Sequence, residues 1–112
     1  MDMKTKATPQ SPLAALADPS LLKTDGLING AWVAGDGRFE VHDPSTGEVL
    51  ARVANLQASH AEQAIVAANQ AWPAWRQLTA KARSQLLRQW FDLLMAHVDD
   101  LARILTAEQG KP

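Results

Sequence analysis

The last third of the chain, Thr79 to Pro112, carries the pattern that most limits how this protein can fold. Large apolar residues recur there at intervals of three and four, which places them on one side of an α-helix. They are Leu87, Trp90, Leu94, Val98, Leu101 and Leu105, with Leu86, Phe91, Met95 and Ile104 widening the stripe. Such a stripe needs a second layer of structure to cover it, so it is predicted to be core rather than a site.

Helix boundary signals lie at both ends and in the middle of this segment. Thr79 is a suitable N-cap, because its hydroxyl can accept a hydrogen bond from a free amide of the first turn. Gly110, followed by lysine and proline, is a stop signal, since glycine tolerates the left-handed conformation that ends many helices. The pair Asp99–Asp100 is able to cap a second helix. The pattern therefore fits either one helix or two helices that meet near His97.

One more helix is predicted upstream, and it offers little cover for the stripe. Ser59 and Glu62 have the spacing of a capping box, in which each side chain bonds the other residue's backbone amide. The apolar face that follows is mostly alanine, which allows a neighbouring element to approach closely. Pro73 is predicted to end or kink this helix, which places Trp75 in the connection after it.

Short strands and turns are predicted before that helix. Asn29–Gly30 is the pair preferred in a type I′ turn, so residues 27–33 are predicted to form a tight hairpin. Arg38–Val41 and Glu48–Ala54 are predicted as two further strands. Short strands of this kind are marginal alone and normally belong to a larger assembly.

The N-terminal region is predicted to contain little regular structure. Residues 1–17 are interpreted as a disordered extension. Asp18 is predicted to cap a short helix that has Pro19 at its first position, where the missing amide hydrogen costs nothing.

Composition limits the function classes. The 112 residues are enough for one modest domain, and a net charge of −1 gives no electrostatic case for nucleic acid or an anionic membrane as partner. The chain has no cysteine, which excludes disulfides, thiolate metal sites and a cysteine nucleophile within it and agrees with a cytoplasmic protein. No apolar run approaches the roughly 18 residues that span a bilayer.

The residues alone do not reveal an active site. The histidines are far apart, and the glycines sit in hairpin turns rather than between a strand and a helix, so no phosphate-binding loop is predicted. Carboxylates near the helix ends are predicted to be solvated or capping. No catalytic, cofactor-binding or metal-binding residue is therefore predicted in this sequence. The polar residues that could be considered for such roles are His42, His60, His97, Asp99, Asp100, Glu108 and Lys111.

Five segments in series, however, resemble the opening of an NAD(P)-dependent aldehyde dehydrogenase. They are Ile28–Trp32, Phe39–Val41, Asp43–Val49, Trp75–Arg76 and Glu108–Pro112. Residues 18–22 and 106–112 look most like the succinate-semialdehyde dehydrogenase branch, and glutarate-semialdehyde and betaine-aldehyde relatives share much of this pattern. The chain departs from the family at Asp43, where asparagine is usual, and at His42 before it.

The resemblance implies an α/β fold class and an incomplete N-terminal segment of an aldehyde dehydrogenase-like fold. The expected elements are a short N-terminal helix, small antiparallel strands with a hairpin, and then two or three α-helices. Residues 18–112 would be the first portion of the dinucleotide-binding domain. A truncation of this kind could come from an incomplete gene or a frameshift.

The resemblance also implies a chemistry that this chain does not carry out alone. The family oxidises an aldehyde, here succinate semialdehyde, through attack by a cysteine thiolate, hydride transfer to NAD or NADP, and thioester hydrolysis. Complete enzymes are expected to be cytoplasmic homo-oligomers. The family's cysteine, glutamate base, oxyanion asparagine and cofactor-phosphate lysine have no counterpart here, so the chain is expected to be inactive without tight NAD or NADP binding. Some members bind a monovalent cation near positions that correspond to the His42 carbonyl and Glu108.

An alternative function is a small non-catalytic α/β interaction module. Such a module would bind a partner helix or sheet through the helical face from Leu87 to Leu105. A well-folded monomer in solution would favour this alternative over the enzyme fragment.

Overall fold

The computed structural model describes residues 11–112. Two 3₁₀-helices come first, then four strands, then three α-helices. Their bounds are Pro12–Ala15 and Pro19–Leu21 for the 3₁₀-helices, Gly26–Ile28 (β1), Ala31–Val33 (β2), Arg38–His42 (β3) and Val49–Ala54 (β4) for the strands, and Ala58–Gln77 (α1), Ala80–Ala96 (α2) and Val98–Gln109 (α3) for the helices. The strands form two separate antiparallel pairs, β1 with β2 and β3 with β4. The predicted α/β architecture is confirmed.

Defined structure begins earlier than the predicted boundary at residue 18. The first 3₁₀-helix packs against α3, and the Ala17 amide donates a hydrogen bond of 2.9 Å to Oδ1 of Asp100. The structure therefore differs from the predicted disordered extension over residues 11–17, because α3 supplies both a packing surface and an acceptor. The remainder of that prediction, residues 1–10, lies outside the described residues. Asp18 caps the second 3₁₀-helix as predicted, accepting a 3.0 Å bond from the Ser20 amide.

The β1–β2 hairpin has the predicted turn. Asn29 and Gly30 have φ values of 51° and 74°, and Leu27 pairs with Trp32 across the strands. The hairpin lies beside the alanine-rich side of α1, where Ala64 and Ala67 are half-buried. The small side chains of α1 thus permit the close approach that the sequence predicts.

A few polar contacts join the first hairpin to the second. The Thr24 carbonyl accepts a 2.8 Å bond from the Ala54 amide. Arg38 donates from Nη2 to the Asp25 carboxylate at 2.7 Å and from Nη1 to the Thr24 carbonyl at 3.5 Å. These contacts fix where β3 and β4 lie relative to the start of β1.

The turn between β3 and β4 is organised by Asp43, which is buried. Its backbone amide donates to the Glu48 carbonyl, and its carbonyl accepts from the Gly47 amide, both at 2.8 Å. Its carboxylate accepts a 2.7 Å bond from the Ser45 amide. An asparagine side chain also has an oxygen in that position, so the departure from the family residue preserves the turn.

The start of α1 differs from the prediction. The helix begins at Ala58 with Gln57 as its N-cap, and Nδ1 of His60 accepts a 3.0 Å bond from the Gln57 amide. The predicted capping box of Ser59 and Glu62 is wrong, because both residues are already inside the helix. The His60 side chain, three residues after the N-cap, thus accepts the bond that a glutamate or glutamine accepts in the common capping box.

Of the two alternatives predicted at Pro73, an end of α1 is wrong, and a kink stays a prediction. The helix continues through Pro73 to Gln77, so Trp75 lies in its last turn rather than in a connection. Proline removes only its own N–H from the backbone ladder, and the rest of the turn still forms. Trp75 is half-buried there.

The C-terminal segment forms two helices, one of the two alternatives that the sequence allows. Oγ1 of Thr79 accepts a 3.1 Å bond from the Ala82 amide and caps α2. His97, with φ of −113°, separates α2 from α3. Gly110 ends α3 with φ of 71°, and its amide donates to the Thr106 carbonyl at 2.8 Å.

The interior of the described part is very small. Among residues 11–112, Ala107 is the only buried apolar residue, and Asp43 and Asp100 are the buried polar ones. Neither α1 nor α2 contains a buried residue. The apolar stripe therefore does not form a core within residues 11–112. Within the same range, no helix is long and apolar enough to cross a membrane.

The hairpin generates a stability prediction. Gly30→Val should depopulate the β1–β2 pairing at a cost of about 1 kcal/mol or more, because a β-branched side chain strongly disfavours positive φ. The measurement is the intensity of cross-strand NMR contacts between Leu27 and Trp32. Gly37→Val is the matched control, since a side chain there meets open space without positive φ. Equal loss of contacts in both variants would contradict the turn's role.

Candidate functional site

The most distinctive surface of the molecule is one side of α2. We define the α2 face as Leu86, Leu87, Trp90, Phe91 and Leu94, whose exposed fractions range from 43% to 62%. Every residue from 84 to 96 is exposed. A contiguous apolar surface of this kind is typical of an interface with another protein segment.

The opposite side of α2 is polar, and charged side chains on it pair with each other. Arg88 and Asp92, one turn apart, form an ion pair of 3.4 Å. The guanidinium carbon of Arg88 also lies 5.0 Å from the ring centre of Phe91. Water can solvate this side well, whereas the α2 face gains roughly 1.5–3 kcal/mol for each large apolar side chain that becomes fully buried. The surface is therefore suited to association with another apolar surface.

Arg83 sets the direction in which α2 leaves α1. Its Nη1 donates to the carbonyl oxygens of Leu78 at 2.6 Å and of Arg76 at 3.3 Å. Terminal carbonyls of a helix lack intrahelical partners and carry partial negative charge, so a guanidinium is a suitable cap. The corner between the two helices is thereby closed by a side chain of α2 itself.

A second notable position is Asp100 in the first turn of α3, which is only 4% exposed. Its Oδ1 accepts from the Ala17 amide and its Oδ2 from the Asp18 amide, both at 2.9 Å. Nη1 of Arg103 donates to Oδ1 at 3.1 Å. The bonds from Ala17 and Asp18, followed by the Arg103 contact, lower the pKa of Asp100 below its ordinary 3.8 despite the opposing effect of burial.

The turn at Asp43 meets the end of α3. A Cβ added to Gly110 would lie 3.1 Å from Cγ of Pro44 and 3.2 Å from Oγ of Ser45, so those neighbours would have to move by a few tenths of an ångström to admit a side chain. A cavity of about 250 Å³ lies at this junction, lined by Ser11, Pro12, Asp43, Ser45, Thr46, Glu48, Thr106, Gly110, Lys111 and Pro112. The structure thus brings together two of the segments that carry the family resemblance.

The residues weighed for chemistry are otherwise dispersed. The His42 imidazole lies 3.3 Å from the Glu40 carboxylate on the exposed surface of β3, His60 caps α1, and His97 separates two helices. Within residues 11–112, no group of three or more His, Asp or Glu side chains is placed to hold a metal ion. The monovalent cation implied near the His42 carbonyl and Glu108 stays a prediction.

Comparisons with known proteins decide the family. Residues 32–112 match the model of the aldehyde dehydrogenase family. The chain belongs to that family. The family predicted from the five segments is confirmed, together with the likeness to succinate-semialdehyde dehydrogenases.

Three relatives illustrate the match. The chain is 48% identical to 3-sulfolactaldehyde dehydrogenase of Pseudomonas putida and 50% identical to the NADP(+) succinate-semialdehyde dehydrogenase GabD of Escherichia coli, each time over 87% of this chain and 20% of the relative. A crystal structure of succinate-semialdehyde dehydrogenase from Burkholderia pseudomallei superposes with a TM-score of 0.84 and 52% identity, covering 88% of this chain and 21% of that one. The chain thus spans about a fifth of the length of these relatives.

Sequence reasoning missed the role of Asp100. The residue was interpreted as a solvated or helix-capping carboxylate, because an acidic residue in the first turn of a helix is favourable by itself. Its two backbone donors lie more than 80 positions earlier in the chain. The sequence pattern does not distinguish the buried Asp100 from its exposed neighbour Asp99.

The α2 face predicts association of the isolated chain. We expect a loosely packed, self-associating species with a broad thermal transition, because the chain buries few of its apolar side chains. Replacing both Leu87 and Trp90 by glutamine should weaken association at least about a hundredfold, since two buried apolar side chains contribute roughly 3 kcal/mol or more. Sedimentation velocity measures the association, and circular dichroism measures the thermal transition. Arg88→Gln on the polar side is the control. A monomer that melts in one sharp, reversible step would contradict this expectation.

The lowered pKa of Asp100 predicts an acid-sensitive contact. A carboxyl whose folded pKa is below the unfolded value stabilises the fold fully above pH 3.8, and the stabilisation is lost as pH falls through the folded pKa. The amide chemical shifts of Ala17 and Asp18 should therefore titrate together with a midpoint below 3.8. Asp100→Asn should abolish that midpoint at the Ala17 amide, whereas the Asp18 amide also responds to its own carboxyl, whose pKa is lowered by hydrogen bonds from Ser20. A midpoint at or above 3.8 in the unchanged protein would show that the carboxylate is not held as described.

Proposed function

We propose that this chain serves as the N-terminal, non-catalytic scaffold of an enzyme that oxidises a short aldehyde to the carboxylic acid with NAD or NADP. Membership of the aldehyde dehydrogenase family supports the reaction class. The similar relatives named above act, by their names, on succinate semialdehyde and 3-sulfolactaldehyde. Both compounds carry an anionic group away from the aldehyde. We therefore propose this substrate class, with succinate semialdehyde as its first member.

The observation that carries the proposal is the exposed α2 face on an otherwise family-like backbone. The helices and hairpins superpose on the equivalent part of a complete enzyme at a TM-score of 0.84, yet the α2 face has 43–62% of each side chain exposed. A chain that adopts the family's local structure while leaving a contiguous apolar helix face uncovered is suited to pack against the rest of such an enzyme. The α2 face is then the internal interface, and the polar side with Arg88 and Asp92 faces outward.

The reaction itself is not assigned to residues of this chain. The sequence has no cysteine, so it has no thiolate for the family's nucleophilic attack. Its glycines with positive φ lie in turns and at the end of α3, and none forms a phosphate cradle between a strand and a helix. NAD or NADP would accept the hydride in the complete enzyme, and we propose that it does not bind this chain tightly. We also propose a cytoplasmic homo-oligomer as the complete form.

The alternative, an independent interaction module, uses the same α2 face for an external partner. The exposed α2 face supports the module and the scaffold equally, whereas the match to about a fifth of an enzyme supports the scaffold. The two functions differ in whether this chain can take the place of the matching segment in an active relative. A scaffold is able to replace the corresponding segment of a relative, and an independent module is not.

Activity measurements test the scaffold proposal in two steps. The isolated chain should not reduce NAD or NADP with succinate semialdehyde. A chimaera, in which residues 18–112 replace the matching segment of the Escherichia coli relative, should oxidise succinate semialdehyde. Activity of the isolated chain that survives removal of host dehydrogenases, or a folded but inactive chimaera, would refute the proposal.

Two variants of the chimaera test the α2 face directly. Trp90→Asp should abolish activity and assembly, because a carboxylate would be buried without a partner at an apolar interface. Arg88→Gln, two residues away on the polar side, should preserve both. Equal behaviour of the two variants would contradict an internal interface at the α2 face.

A further inference from the structure

The segment from Ser11 to Leu22, which we name the strap, crosses α3 with few attachments. It contains both 3₁₀-helices, and the first of them packs on α3. Leu13 and Leu16, its larger apolar side chains there, are half-buried rather than buried. The apolar contact is therefore modest, and polar contacts have a large influence on whether the strap stays docked.

Nearly all hydrogen bonds of the strap are internal. The Leu13 amide bonds Oγ of Ser11, the Ser20 amide bonds the Asp18 carboxylate, and the remaining backbone bonds close turns within the segment. Among residues 11–112, the only hydrogen bonds from the strap to the rest of the protein go to Asp100. One carboxylate thus provides the whole polar attachment.

The geometry of Asp100 suits that role. Its two oxygens accept from two consecutive amides, so both acceptors of one side chain are used on adjacent backbone donors. Arg103, three residues later on α3, holds Oδ1 at 3.1 Å and fixes the orientation of the carboxylate. Charge-assisted bonds to a carboxylate are about twice as strong as neutral ones, and here the donors belong to a segment that has no other polar partner.

We infer that Asp100 is a latch that holds the strap closed over α3, and that breaking this contact releases the strap as a unit. The released strap would expose the part of α3 against which the first 3₁₀-helix packs. It would also remove Ser11 and Pro12 from the wall of the cavity beside the Asp43 turn. The latch rests on these contacts and does not depend on the proposed enzymatic function.

The absence of cysteine allows a direct distance measurement on the full chain. Ala14 and Ala102 are exposed positions on the strap and on α3. Spin labels on Ala14→Cys and Ala102→Cys, with the doubly labelled chain diluted in excess unlabelled chain so that contacts between copies do not contribute, report the separation of the two segments by double electron–electron resonance. We expect a narrow distance distribution for the otherwise unchanged chain, which represents the docked strap.

Variants of two adjacent aspartates separate the latch from a general effect of charge. Asp100→Ala should broaden the distribution and lengthen its mean, and amide exchange at Ala17 and Asp18 should become at least roughly tenfold faster, the factor expected for a lost charge-assisted hydrogen bond. Asp99→Ala removes an exposed carboxylate from the same helical turn and should change neither readout. Helix content from far-UV circular dichroism should be equal in both variants.

A third variant keeps the test informative if Asp100→Ala loses helix content. Asp100→Asn preserves the shape but presents an amide NH₂ to one of the two backbone donors, so it should also broaden the distribution. A distribution that stays narrow in Asp100→Asn, or that is already broad in the unchanged chain, would overturn the latch. Faster exchange at Ala17 and Asp18 alone, with the narrow distribution kept, would show a local cap instead and would also overturn it.

Discussion

An amphipathic helix is stable in water only when something covers its apolar side, and the structure depends on how this chain meets that requirement. The strap partly covers α3, and the first hairpin lies on the alanine-rich side of α1. The α2 face receives no such cover within the described residues. Each helix therefore has the local signals of a folded protein, but the packing that normally contributes most of helical stability is incomplete.

Local rules explain why much of the fold could be predicted from the sequence. The positive φ of Asn29 and Gly30, the Thr79 cap and the left-handed Gly110 each depend on residues within a few positions of one another. Period and capping then give the number and type of elements, and the family resemblance gives their order. The apolar stripe was predicted as core because periodicity identifies which side of a helix is apolar without showing what lies against it.

The errors share a physical origin in alternatives of similar energy or in distant partners. At the start of α1, a histidine acceptor competes with a serine–glutamate box two residues away, and the histidine forms the bond. At Pro73, the helix continues to Gln77 although proline lacks one backbone donor. Asp100 bonds amides more than 80 residues away, so no window along the sequence contains both partners. The docked strap could not be predicted for that reason.

The Arg83 cap at the end of α1 has a consequence for how the α2 face meets its complement. Because the guanidinium already bonds the carbonyls of Arg76 and Leu78, the angle between α1 and α2 is set before any contact is made. A preorganised surface loses little conformational entropy on binding, whereas a segment that folds as it binds loses part of its interaction energy to ordering. The angle between α1 and α2 is consequently preorganised, and a complementary surface needs only to fit against the α2 face.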